Sequence, residues 1–245
     1  MRLTRVHVAA PLEAGRRARL SGDAASHIAR VLRLGAGDAL TLFDGRGGEY
    51  GALIEEVRRD GVTVQVGEWR PVERESPLAL TLAQGVARGE RMDWVVQKAT
   101  ELGVRRICPI LSERTVVRID ARQSEQKRRH WRAIAVAACE QSGRDRIPAI
   151  EAPAALPDFI QRADTVATRL LLSPSAGLRI ADLPPPHGGI LVLIGPEGGL
   201  AEAEQRAALA AGFLAVRLGP RVLRTETAAV AALTLLQHRF GDVSA

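Results

Sequence analysis

Apolar residues in the first seventy positions come in short runs broken by turn residues. Residues 3–8, 39–43, 50–57 and 62–66 have strand length and strand composition. Between them stand Gly35-Ala36-Gly37-Asp38, Asp44-Gly45-Arg46-Gly47-Gly48 and Asp60-Gly61. The last of these, set between Val57 and Val62, predicts a hairpin turn. One helix interrupts the series over residues 23–34, with Ile28, Val31 and Leu32 on one face. The segment Arg70-Pro71-Val72-Glu73-Arg74-Glu75-Ser76-Pro77 is charged and bracketed by prolines, so it reads as a linker with a domain boundary near residue 73.

Beyond the linker the period changes. Strand patterns at 78–83, 105–111, 166–172, 190–194 and 213–218 alternate with helical ones at 88–102, 124–142, 200–211 and 225–240. Met92, Val95, Val96, Ala99 and Leu102 keep helical spacing, and Gly103 follows as a stop. In the next helix Trp131, Ile134 and Ala138 face inward, with Arg128, Arg129 and Arg132 outward. The last helix buries Ala229, Ala232, Leu233, Leu236 and Phe240. Such alternation predicts an α/β domain, a mostly parallel sheet covered by helices.

At 245 residues the chain can hold one large or two modest domains. It is 46% hydrophobic and 25% charged, which excludes bulk disorder. No apolar run approaches the ~20 residues that span a bilayer, and residues 1–10 carry no secretory pattern. Cys108 and Cys139 suggest no disulfide framework. The expectation is a cytoplasmic protein without a membrane segment. The formal charge is +6, and residues 88–146 carry 14 basic against 8 acidic side chains, which accounts for the whole excess. Nearly all basic residues are arginine, whose forks pair bidentately with phosphate. Genome composition explains that bias equally well. Aromatics, at 3%, are too few for a base-stacking platform.

The candidate chemistry lies in two glycine loops. Ile190-Leu191-Val192-Leu193-Ile194 runs into Gly195-Pro196-Glu197-Gly198-Gly199 and then a helix. Strand, glycine turn and helix together bring backbone amides to a ligand at the carboxyl edge of a sheet. No lysine follows the glycines as in a P-loop, and Pro196 and Glu197 break the dinucleotide fingerprint. The second loop, Gly219-Pro220-Arg221-Val222-Leu223-Arg224, follows strand 213–218, and Thr225 is placed to cap the last helix. A third strand end, Leu171-Leu172-Ser173-Pro174, can supply another wall around a flat, partly apolar ligand.

The strings LVLIGPEGGL and LGPRVLRTETA resemble the RsmE family of the SPOUT superfamily, 16S rRNA uridine-N3 methyltransferases. HIARVLRLGAGDALTLFDGRG, RGERMDWVVQKATELGV and AACEQSGRDRIP extend the resemblance over nearly the whole chain. It implies a PUA-like RNA-binding β-barrel over residues 1–72 and a SPOUT methyltransferase domain with a deep trefoil knot over 73–245. It further implies S-adenosylmethionine as cofactor, the small ribosomal subunit as partner, and a homodimer. Carried over by residue, the cofactor loops contain Leu172, Ser173 and Pro174, then Ile194, Gly195, Pro196, Glu197, Gly198 and Gly199. The third contains Leu218, Gly219, Val222, Leu223 and Thr227. Arg224, Glu226 and Arg221 stand where methyl donor and uridine should meet. Arg5, Arg30 and Arg33 of the first domain, and Arg88, Arg91, Arg114 and Arg118 of the second, are the candidate RNA contacts.

Two residues depart from the family pattern. Ser173 replaces a histidine, and Ala201 replaces a capping Ser or Thr, which leaves a capping box with Glu204 half formed. For the chemistry, an arginine near O2 or O4 would stabilise the uridine anion. Glu197 and Glu226 are the carboxylates at hand for a base, but Glu226 suits the first turn of a helix better than it suits a base, so no base is assigned. No metal is required, and His7, His27, His130, His187 and His238 have no ligand spacing. Rival readings are a SPOUT enzyme acting at another RNA position, an inactive RNA-binding assembly factor, and a nucleotide-binding α/β enzyme.

Overall fold

The computed structural model describes residues 4–162, 168–186 and 188–243. Leu3, Val166 and His187 lie outside the described residues. Contacts divide the chain into two compact units. The first is Met1–Glu75 with Val136–Ile147, and the second is Ser76–Ala135 with Pro148–Ala245.

The first unit is a five-stranded sheet of β1 (Arg5–His7), β2 (Arg17–Leu20), β3 (Ala39–Phe43), β4 (Glu49–Arg58) and β5 (Gly61–Arg70), in the order β1-β3-β4-β5-β2. β3, β4 and β5 form an antiparallel meander, and β1 joins β3 in parallel. Val6, Leu20, Ile28, Leu40, Leu42, Ile54, Val62 and Val64 fill its core. Arg58 pairs with Gly61, so the two-residue turn is Arg59-Asp60 and Gly61 already belongs to the strand. The helix expected over 23–34 is shorter. It comprises α1 (Gly22–Ser26) and a wide π-type turn at His27–Val31, and Arg33, at φ 54°, breaks it off in left-handed backbone. Only Ile28 of its predicted apolar face is buried; Val31 is 67% exposed.

Arg5 corrects an expectation. It is no surface cation, because its side chain is only 7% exposed and its terminal nitrogens donate to Glu49 and Asp145. Arg74 Nη1 also reaches both carboxylates, at 3.4 and 3.3 Å. Burial pushes the Asp145 carboxyl up, against the pull of the Arg5 guanidinium beside it. The short strand β1 is thus anchored by charge where it has few residues to pack.

The second unit is an all-parallel sheet. Its strands are β6 (Leu80–Gly85), β7 (Arg106–Leu111), β8 (Ala149–Ile150), β9 (Ala154–Ala155), β10 (Thr168–Leu172), β11 (Leu178–Arg179), β12 (Ile190–Ile194) and β13 (Leu214–Arg217). The order is β11-β13-β10-β12-β6-β7-β8, with β9 also on β7. β12 is apolar throughout and wholly buried, as a parallel strand covered on both faces must be. The helices are α2 (Glu90–Glu101), α3 (Ala121–Ser142), α4 (Leu156–Arg162), α5 (Glu202–Ala210) and α6 (Thr225–Phe240). The carboxyl end of α3 falls in the first unit. α2 buries Met92, Val95, Val96 and Ala99 and ends at Gly103, φ 79°. α2 packs on α6, and buried Gln237 of α6 accepts from Ser76 Oγ (2.7 Å) and donates to the Leu102 carbonyl (2.8 Å). Cys108 and Cys139 are free, and burial pushes both thiols up to about 12, so neither is poised as a nucleophile.

Replacing Arg5 leaves two buried carboxylates without their main partner. Arg5→Ala should lower stability by about 3–5 kcal/mol, whereas exposed Arg30→Ala should stay within about 0.5 kcal/mol. Urea unfolding of the full chain compares them; similar small losses would contradict the buried ion cluster.

Candidate functional site

β13, β10 and β12 are neighbours in the sheet, so the three loops that leave their carboxyl ends emerge side by side. They enclose a cavity of 690 Å³. The β10 loop contributes Leu172, Ser173 and Pro174. The β12 loop contributes Ile194, Gly195, Pro196, Glu197, Gly198 and Gly199. The β13 loop contributes Leu218, Gly219, Arg221, Val222, Leu223 and Arg224, followed by Glu226 in the first turn of α6. Thr227 is the exception among the expected cofactor residues: it is exposed and does not line the cavity.

The β12 loop is folded on itself and against the end of β6 by backbone that admits no side chain. A Cβ on Gly195 would stand 2.9 Å from the Gly199 carbonyl carbon, and one on Gly85 would stand 2.3 Å from Pro196 N. Gly199, at φ 68°, closes the turn with its N–H on the Pro196 carbonyl, 2.8 Å. Thr225 corrects another expectation. Arg224 is the residue that caps α6, and Thr225 is its first helical residue. Its hydroxyl donates to the Gly195 carbonyl (2.7 Å) and accepts from Gln84 Nε2 (2.8 Å), tying the β6 end, the β12 loop and α6 together. Gln84 and Gly85 were missed by sequence reasoning. The available signal was a lone amide, followed by glycine, at the end of an apolar strand.

The charged groups are arranged around this frame. Glu197 Oε1 accepts from the Arg88 N–H (2.9 Å) and from Arg91 Nη1 (2.8 Å). Burial pushes its carboxyl up, but these bonds and its own backbone N–H outweigh it and hold the group below its ordinary value of 4.5. Arg91 Nε also lies 3.8 Å from Glu226 Oε1, while Glu226 Oε2 is buried without a hydrogen-bond partner. Arg114 lies over Gly198 and donates to its carbonyl at 3.1 Å. Of the expected RNA contacts, Arg91 and Arg114 therefore line the cavity. Arg88 engages it through its backbone, and Arg118, Arg30 and Arg33 are exposed elsewhere. Glu204 keeps its half of the capping box by accepting from Ala201 N–H (2.8 Å), and it also accepts from the Glu113 N–H (2.8 Å). This second bond replaces part of what the alanine cannot give.

Two outcomes follow from this geometry. Thr225→Val removes a donor and an acceptor from buried partners and should lower stability by about 1–3 kcal/mol in thermal melts; Thr225→Ser should restore it. For Glu197, a depressed carboxyl contributes stability above its ordinary 4.5, and that contribution is lost as pH falls through the lowered value. The melting difference between the parent chain and Glu197→Gln should be present at neutral pH and close below pH 4.5.

The RNA methyltransferase domain family matches residues 74–237, and the RNA methyltransferase PUA domain family matches residues 20–67. A ribosomal RNA small subunit methyltransferase E from Buchnera aphidicola is 33% identical over 99% of both chains, and one from Bacillus subtilis is 32% identical over 90% of this chain and 89% of its own. Among solved structures, a Legionella pneumophila methyltransferase with bound SAM superposes at a TM-score of 0.95, with 41% identity over 99% of this chain and 100% of that one. A Neisseria gonorrhoeae ribosomal RNA small subunit methyltransferase E bound to S-adenosyl methionine gives 0.92, at 34% identity over 99% and 100%. With a cavity built on the loops that carried the family strings, and relatives aligned along nearly its full length, the chain belongs to the ribosomal RNA small subunit methyltransferase E family.

Proposed function

We propose that this chain transfers a methyl group from S-adenosylmethionine to N3 of a uridine in 16S rRNA of the small ribosomal subunit. The observation that carries the reading is the convergence of three strand-end loops on one cavity, with Arg221, Arg224 and Glu226 in its wall. The residues fit the cofactor. The cavity has the size of a small-molecule site, a Cβ placed on Gly199 or Gly219 in its lining would meet nothing within 4 Å, and carboxylates rather than a phosphate-binding lysine would face a sulfonium cation. Backbone groups near Leu172, Gly195, Leu218 and Leu223 would hold adenine and ribose. When bound, the cofactor supplies an electrophilic methyl group.

The chain's own residues must position uridine and manage one proton and one charge. Uridine N3 becomes nucleophilic when its proton leaves. Glu226 Oε2, with no partner, is the acceptor available for it. Glu197 is less suited, because two N–H donors already occupy its Oε1 and hold it ionised. Arg224 and Arg221 stabilise the charge that spreads to O2 and O4 of the base. In this reading residues 1–72 are a PUA-like RNA-binding domain, 73–245 fold through the trefoil knot of SPOUT enzymes, and the working unit is a cytoplasmic homodimer.

The test uses methyl-labelled cofactor with small subunits lacking the modification, followed by nucleoside mass spectrometry. The expected product is 3-methyluridine. Another methylated nucleoside would overturn the assigned position, and failure to bind the cofactor would favour an RNA-binding assembly factor. Arg224→Ala should reduce transfer by about 100- to 1,000-fold with the fold retained; unchanged turnover removes Arg224 from the mechanism.

A further inference from the structure

The first unit holds a second, smaller cavity, far too polar to be a gap in a hydrophobic core. Its volume is 260 Å³, and Arg5, Arg70, Arg74, Thr41, Glu49 and Ser142 line it. Arg5 donates to Glu49 and Asp145, and Arg70 Nη2 forms an ion pair with Glu49 Oε1 at 3.0 Å. Arg74 Nη1 reaches both carboxylates and donates to the Gly143 carbonyl at 2.9 Å. Three guanidinium groups thus face two carboxylates, which leaves one positive charge uncompensated.

Two buried polar atoms of the same lining have no hydrogen-bond partner, Arg5 Nε and Ser142 Oγ. Arg5 belongs to a side chain more than nine-tenths buried, so its unmet N–H is costly unless something else accepts from it. Arg70 and Arg74 are nearly half exposed, so the cavity also has free guanidinium N–H groups at an open side. One excess positive charge, two unmet buried donors and no unmet buried acceptor in the lining describe a receptor for a small oxyanion. The volume is below that of an ordinary small-molecule site, which suits one phosphate group and not a nucleotide.

We propose that this cavity binds a phosphate oxyanion, either a diester of an RNA backbone or free orthophosphate. The phosphate oxygens accept from Arg70, Arg74, Arg5 Nε and the Ser142 hydroxyl. The site lies within the first unit; its RNA source rests on the reading of that unit as RNA-binding, while the oxyanion site itself stands or falls independently of the chemistry assigned to the second.

The experiment uses the full chain, orthophosphate and a short single-stranded RNA, with Ser142→Ala and Arg70→Gln. Ser142→Ala is the discriminating variant, because removing an unpartnered buried hydroxyl should leave the ligand-free protein as stable as before or slightly more so. Phosphate should raise the melting temperature of the parent chain saturably. Both variants should weaken that response at least five-fold. If RNA is the source, both should also weaken RNA binding several-fold, and Arg70→Gln should reduce the salt slope by about one. Variants that lose the phosphate response but bind RNA as the parent does would overturn the RNA source and leave orthophosphate as the ligand. A parent chain that gains nothing from phosphate, or variants indistinguishable from it with both probes, would overturn the site. Binding of S-adenosylmethionine is the control: its absence speaks against the proposed methyl transfer and not against this cavity.

Discussion

Everything at the site depends on how closely three stretches of backbone approach one another at the carboxyl edge of the sheet. Gly85 lies against Pro196, and Gly195 lies against Gly199 and Leu200, at separations that leave no room for a methyl group. Such an approach leaves polar backbone groups crowded and short of water. The Thr225 hydroxyl meets this need by donating to the Gly195 carbonyl while accepting from Gln84. One hydroxyl therefore fixes the β12 loop to the start of α6, and α6 carries Arg224 and Glu226 into the cavity wall. Position and chemistry share a single tether, on which the in-line placement that a methyl transfer needs depends.

Arginine does three different jobs in this chain, which bulk charge could not separate. Arg5 neutralises buried carboxylates and holds the edge strand of the first unit. Arg91 and Arg114 brace the glycine loop of the cavity through Glu197 and the Gly198 carbonyl. Arg30, Arg33 and Arg118 remain exposed and free for solvent or a polyanion. The positive excess of residues 88–146 thus mixes bracing groups with surface charge, and only the bonded partners tell them apart.

Much of the architecture was legible before any coordinates. The five-residue apolar run 190–194 could only be a buried parallel strand, and the spacing of Ala229, Ala232, Leu233 and Leu236 placed the last helix to the residue. The glycine loops were legible as loops because glycine and proline announce themselves. Three features were not. The neighbourhood of β13, β10 and β12 is set by long-range pairing, which no local pattern encodes. Arg5 read as a surface cation because its partners Glu49 and Asp145 lie 44 and 140 residues away. Thr225 read as a cap because capping is the local use of threonine, whereas its actual partners come from two other strand ends.

The central claim is that one cavity, built by three strand-end loops and closed by the Thr225 tether, holds the methyl donor. Amide hydrogen exchange with and without S-adenosylmethionine tests it most directly, since each loop reports separately. The account predicts saturable binding with protection concentrated in residues 172–174, 194–199 and 218–226. Binding that protects none of these segments, or protects a different edge of the sheet, would contradict it.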